Sequence, residues 1–359
     1  MTGLQQGMGV PPSKATTAMD YRSPRWLPGG QLQTIWPALY SRRVFGSKPR
    51  YLRQRWDTPD GDFIDVDFLH HEAGMGDRVR PRPLLVVFHG LEGSSRSHYC
   101  EAFADLAREQ GWDCALPHFR GCSGEINRAP RAYHSGDHAE IGWILERLRS
   151  ANSGAPLMAV GVSLGGNALL RWAGEVGAHA TGSVDAVAAV CAPLDLAAGG
   201  HAIGRGFNRQ VYNRMFMRTL VPKALQKLAQ HPGLFDRQAL LSARDLYGFD
   251  NVFTAPLHGF RSTEDYWHRA SAKPLLGAIR VPALVVNPRN DPFVPAASLP
   301  QQHEVGSHVT LWQPAHGGHV GFASGRMPGH VRAMPDAVAG WLASQAGLQP
   351  ATTAESRHG

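Results

Sequence analysis

Short apolar runs recur along the chain, each bounded by turn-forming residues. They are Leu84–Phe88, Asp113–Leu116, Leu157–Val162, Val184–Cys191, Ala283–Asn287 and Val309–Gln313. Runs this short, flanked by Gly, Pro, Asn or Asp, read as fully buried strands. Amphipathic stretches lie between most of them, among them Tyr99–Gln110 and Asp137–Leu148. Strands alternating with helices predict a largely parallel sheet covered on both faces. Ahead of these, Tyr51–Asp57 and Phe63–Leu69 flank Thr58-Pro59-Asp60-Gly61, the signature of an antiparallel hairpin. The expected fold is α/β and doubly wound, with an eight-stranded, mostly parallel sheet.

One interval breaks the alternation. About 90 residues separate the sixth run from the seventh, far more than a crossover needs. Within it, 195–270 holds ten aromatic residues. An insertion with its own apolar residues is expected to be a mostly helical cap after the sixth strand. Its aromatics either pack a small core of their own or line an acyl pocket. A membrane-facing variant would instead expose Phe216, Phe249 or Phe253 and use arginine against anionic lipid.

The fifth run leads into Gly161-Val162-Ser163-Leu164-Gly165, and Asn167–Gly174 continues with a helical pattern. Strand, Gly-x-Ser-x-Gly and helix in succession are the context of a nucleophile elbow. The turn is so tight that small residues are needed two before and two after the serine. It exposes the hydroxyl at a helix N-terminus, where the dipole favours negative charge. Cys122 lacks such an elbow and is not read as the nucleophile.

A serine hydroxyl needs a base, and the base an orienting acid. Asp291 follows the seventh run and His319 the eighth. Both lie at carboxyl ends of strands, where such sheets gather their functional loops. Asp195 is the rival acid and His316 the rival base. His319 is favoured because glycines on both sides let its loop turn inward. The tetrahedral oxyanion would need two backbone N–H donors. Leu164 is one candidate. Leu91 is the other, in the loop His89-Gly90-Leu91-Glu92-Gly93 after the third run. The spacings His316-x-x-His319 and His134-x-x-x-His138 lack a matched third ligand, so no metal or organic cofactor is expected.

Composition narrows the setting. The chain of 359 residues carries a formal charge of +7, from five lysines and 31 arginines against 29 acids. The arginines are scattered, so nucleic acid is not an expected partner. Four cysteines without CxxC spacing suit a reduced compartment. Met1–Asp20 has no apolar core for a signal peptide, and no run reaches membrane-spanning length. A cytoplasmic protein is expected, with 1–20 and 346–359 as flexible ends around a hydrolase domain at 21–345.

Taken together, these motifs resemble the YheT-like branch of α/β-hydrolases, which includes abhydrolase-domain lipid esterases. The resemblance is carried by Trp26-Leu27, Leu32–Pro37, His89–Gly93, Phe119–Glu125, Tyr133–Gly136, Gly161–Asn167, Asn290–Pro292 and His316–Phe322. It implies a triad of Ser163, Asp291 and His319, the three reached above from order and context. It also implies hydrolysis of carboxylic esters, of short-chain or acylglycerol type. Gln31 stands where the family pattern has His before Leu-Gln-Thr. Thioesterase, amidase or acyltransferase activity could use the same triad, and a non-catalytic binding protein is the reading from another class. The substrate would be a small ester or lipid, with peripheral membrane contact as a further partner.

Overall fold

The structure is a computed structural model that describes residues 19–69 and 81–348. The expectations for the chain ends fall almost wholly outside them. Eight strands form one sheet: β1 (Leu52–Asp57), β2 (Phe63–Leu69), β3 (Leu84–Phe88), β4 (Asp113–Pro117), β5 (Leu157–Val162), β6 (Ala186–Val190), β7 (Ala283–Val286) and β8 (Val309–Trp312). Their spatial order is β1-β2-β4-β3-β5-β6-β7-β8. β2 pairs antiparallel with β1 and with β4, and every later pairing is parallel. The hairpin and all six apolar runs are therefore strands, each within two residues of its expected limits.

Strand β3 shows why these runs are apolar throughout. Leu84, Val86 and Phe88 join the core on one face of the sheet, Leu85 and Val87 the core on the other. Successive side chains point to opposite faces, so a strand covered on both sides has no place for a polar residue. Each fully buried Leu or Val contributes roughly 1.5–3 kcal/mol. The first face is covered by α3 (His138–Ala151) and α4 (Leu164–Val176). The second is covered by α2 (His98–Glu109) and the helix Ala333–Gln345.

Between β6 and β7 the chain is helical. It runs through α5 (Leu196–Ile203), the continuous segments Gly206–Asn208, Arg209–Asn213 and Arg214–Gln230, and several short helices, among them Thr263–Ala270 and the 3-10 helix Lys273–Ala278. These carry a cluster built on Tyr212, Phe216, Leu220, Phe249 and Phe253. Phe216, Phe249 and Phe253 are only 9%, 3% and 5% exposed, which overturns the membrane-facing variant at those three residues. They turn inward because Phe293, Val294 and Leu299 of the loop after β7 complete the same cluster. Ahead of β1, α1 (Gly30–Leu39) lies against the loops that follow β7 and β8. Among the described residues no helix is long and apolar enough to cross a membrane.

Candidate active site

Ser163 sits between β5 and α4 with φ 53° and ψ −118°, a backbone conformation that costs a non-glycine residue energy. The neighbouring glycines make it possible. A Cβ on Gly161 would come 2.4 Å from the Gly165 carbonyl oxygen, and one on Gly165 would come 2.6 Å from the carbonyl oxygens of Phe88 and His89. Strand, turn and helix thus cross at a distance only glycine permits. The Ser163 N–H donates to the Val190 carbonyl at 2.8 Å, which ties the turn to β6.

The loops after β7 and β8 bring Asp291 and His319 to this serine. His319 Nε2 lies 3.1 Å from Ser163 Oγ. Its Nδ1 lies 2.9 Å from Asp291 Oδ2. Asp291 Oδ1 also accepts the Phe293 N–H at 2.8 Å, and the Phe293 ring lies 4.2 Å from the imidazole, centroid to centroid. An imidazole held this way carries its proton on Nδ1 and presents a free lone pair to the hydroxyl. It can take the hydroxyl proton as the oxygen attacks a carbonyl.

The rival residues are elsewhere. Asp195 caps α5, accepting the Ala198 N–H at 3.0 Å. His316 is exposed on its loop. Cys191, which no motif singles out, lies beside the pair. Ligand atoms of Cys191, Asp291 and His319 fall within 4.8 Å of one another. Burial first, and then the Asp291 charge, push the Cys191 thiol well above its usual range. Its sulfur accepts the Val320 N–H at 3.2 Å, so Cys191 shapes the loop just after His319.

The loop after β3 approaches Ser163 from the other side. A Cβ on Gly90 would come within 3.1 Å of the Ser163 Cβ. Its backbone N–H groups are apportioned: Gly90 donates to the Tyr99 hydroxyl at 2.9 Å and Glu92 to the Tyr133 hydroxyl at 2.8 Å. Leu91 N–H, between them, and Leu164 N–H, at the start of α4, have no acceptor among the described residues. Leu91, Ser163 and Leu164 line one cavity. His89 braces the loop, its Nε2 accepting the Phe119 N–H at 3.1 Å while Nδ1 donates to Gly90 O at 2.8 Å. Burial lowers its pKa to about 3, which keeps this tautomer neutral. Lys223 of the cap reaches Glu92 at 2.9 Å, so cap and loop are joined next to Leu91.

Sequence patterns also missed the role of α1. Gln33 Oε1 accepts the Gly317 N–H at 3.0 Å and the Asn290 amide at 2.8 Å. Asn290 Oδ1 accepts the Gly318 N–H at 3.1 Å. Gln31 accepts the Tyr212 hydroxyl at 2.7 Å and donates to Asn208 at 2.8 Å, and Asn208 donates to Pro292 O at 2.6 Å. The atypical Gln31 therefore links cap and acid loop without touching Ser163, His319 or Asp291.

The cavity spans about 1080 Å³ of empty space between cap and sheet, part of it open to solvent. From Ser163 it extends past Phe216, Leu220, Phe249, Phe253 and Trp267. The same rings therefore both pack the cap and face the cavity.

Comparison with known proteins agrees with this architecture. Residues 83–325 match the profile of the alpha/beta hydrolase fold. The chain is 39% identical over 298 residues to YheT of Escherichia coli (strain K12), covering 82% of this chain and 85% of that protein. The name of YheT carries a provisional assignment as an esterase. The chain is an α/β-hydrolase of the YheT-like family. It is also 29% identical over 295 residues to the phospholipase ABHD3 of Mus musculus, covering 80% of this chain and 70% of that one. Among solved structures, the alpha/beta hydrolase GrgF from Penicillium sp. sh18 superposes with a TM-score of 0.52 at 14% identity. That match covers 83% of this chain and all of GrgF, and it speaks for the fold alone.

Proposed function

We propose that this YheT-like hydrolase cleaves carboxylic esters, of short-chain or acylglycerol type, through an acyl-enzyme on Ser163. The observation that carries the reading is the continuous contact from Asp291 through His319 to Ser163, at 2.9 Å and 3.1 Å. His319 takes the Ser163 proton as Oγ bonds to the ester carbonyl carbon, and Asp291 holds the imidazole in the required tautomer. The N–H groups of Leu91 and Leu164 receive the developing oxyanion. One such donor contributes roughly 3 kcal/mol to the transition state. His319 then returns the proton to the leaving alkoxide, and water clears the acyl group by the same steps.

The apolar cavity favours an acyl chain as the group held beside Ser163. Relatives with the names esterase and phospholipase favour oxygen esters over amides. The four unpaired cysteines suit a cytoplasmic protein. Hydrolysis of p-nitrophenyl acyl esters of increasing chain length tests the reading. Wild type is expected to hydrolyse them and Ser163→Ala to lose that activity, whereas unchanged hydrolysis by Ser163→Ala would contradict the nucleophile.

A further inference from the structure

Although Phe216, Phe249 and Phe253 turn inward, the helical run that carries Phe216 has a second, outward face. Across Gly206–Asn208, Arg209–Asn213 and Arg214–Gln230, the residues Tyr212, Phe216, Leu220 and Ala224 pack into the cap cluster. Phe207, Val211 and Met215 lie outside it and are 52%, 37% and 51% exposed, with Phe207 meeting the edge of the Tyr212 ring. Residues four apart fall on one side of a helix, so these three form a stripe. Arg209, Arg214 and Arg218 are exposed along the same run, and Arg205 is exposed just before it. From 196 to 235 the chain has no Asp or Glu at all.

Several arginines elsewhere are tied to acids that lie beside them. Arg53 and Arg55 pair with Asp67 and Asp65, while Arg120 and Arg332 each hold three carboxylates. Among the described residues none of Arg205, Arg209, Arg214 and Arg218 takes part in an ion pair. Apolar side chains beside unpaired cations need a partner that is oily and negative together. A nucleic acid would satisfy the arginines and leave Phe207, Val211 and Met215 in water. A second copy of the chain would cover the stripe but oppose one set of arginines with another, because a twofold contact repeats the same patch. The boundary of an anionic bilayer offers both chemistries, with phosphate and acidic headgroups above acyl chains.

We propose that the outward face of 206–218 docks this protein on an anionic lipid surface. The inward side of the same run supplies Phe216 and Leu220 to the cavity that holds Ser163. Docking therefore sets that cavity one helix away from the lipid. The proposal does not depend on the catalytic assignment.

Co-sedimentation of the intact chain with vesicles tests it, using phosphatidylcholine alone and an equimolar mixture with phosphatidylglycerol. Wild type is expected to sediment with the mixed vesicles and to remain in solution with phosphatidylcholine alone. High salt should release it. Arg209→Gln/Arg214→Gln/Arg218→Gln should bind on the order of 100-fold more weakly. Phe207→Ser/Met215→Ser should bind roughly tenfold more weakly. All these positions are exposed, and unchanged thermal melting of each variant shows that it folds. No sedimentation of wild type with mixed vesicles would overturn the proposal. So would undiminished binding by both variants, or a concentration-dependent dimer that Phe207→Ser/Met215→Ser dissolves.

Discussion

The hydroxyl oxygen of Thr34 accepts the backbone N–H of His319 at 2.8 Å, across 285 residues of chain. The same hydroxyl donates to the Gly30 carbonyl at 2.7 Å, so its lone pair is directed at His319. With Gln33 and Asn290 it holds the backbone N–H groups of 317, 318 and 319 in succession. The approach is close enough that a Cβ on Gly321 would meet the Gln33 carbonyl oxygen at 1.7 Å. α1 therefore sets where the imidazole begins.

A base displaced by about 1 Å can lose on the order of 100-fold in rate. Thr34→Val keeps the shape of the side chain and removes the acceptor. It is expected to lower kcat by roughly 10- to 100-fold with little change in KM. Thr34→Ser restores the acceptor and should recover most of the loss. Steady-state kinetics on a soluble ester separates the two, and equal impairment of both variants would contradict a positioning role.

Gly165 sits where α4 crosses β3, and an alanine there would drive a methyl group into the carbonyl oxygens of Phe88 and His89. Those are backbone atoms of a fully buried strand end and cannot swing aside. Gly165→Ala is expected to lose about 3 kcal/mol of stability, measured by denaturant unfolding. A loss under about 1 kcal/mol would mean that the elbow yields more easily than its geometry indicates.

Asp250 gives the cap a pH response. Its carboxylate accepts the Thr254 hydroxyl and, at 2.9 Å, the Trp267 indole N–H. Burial raises its pKa from 3.8 to about 6. A carboxyl group whose pKa is raised on folding binds more protons folded than unfolded between those two values. Stability then falls as pH rises from 3.8 to about 6, by about 3 kcal/mol at most. Asp250→Asn keeps an acceptor for the indole and removes the titration. It should flatten that part of the stability–pH curve, and an unchanged slope would contradict the assignment.

Much of this site was legible in the chain because its parts are local. A nucleophile elbow is a strand, a tight turn and a helix in sequence, so Ser163 and its glycines declare themselves within ten residues. Asp291 and His319 follow from the ends of the last two strands. The contacts of Thr34 and Gln33 do not, because each joins residues more than 250 positions apart. A Leu-Gln-Thr stretch has no pattern that says which loop it will meet. The alternative of a membrane face at Phe216, Phe249 and Phe253 did not hold, for a related reason. Phe216, Phe249 and Phe253 look the same in sequence as Phe207, and only tertiary packing against Phe293 decides which of them face inward.

The central claim is that Ser163 is the nucleophile and His319 its base. The most direct measurement is covalent labelling with a fluorophosphonate, followed by mass spectrometry of the modified peptide. One adduct is expected, on Ser163, with labelling slowed at least about 100-fold in His319→Ala. An adduct on another residue, or unchanged labelling in His319→Ala, would contradict the account.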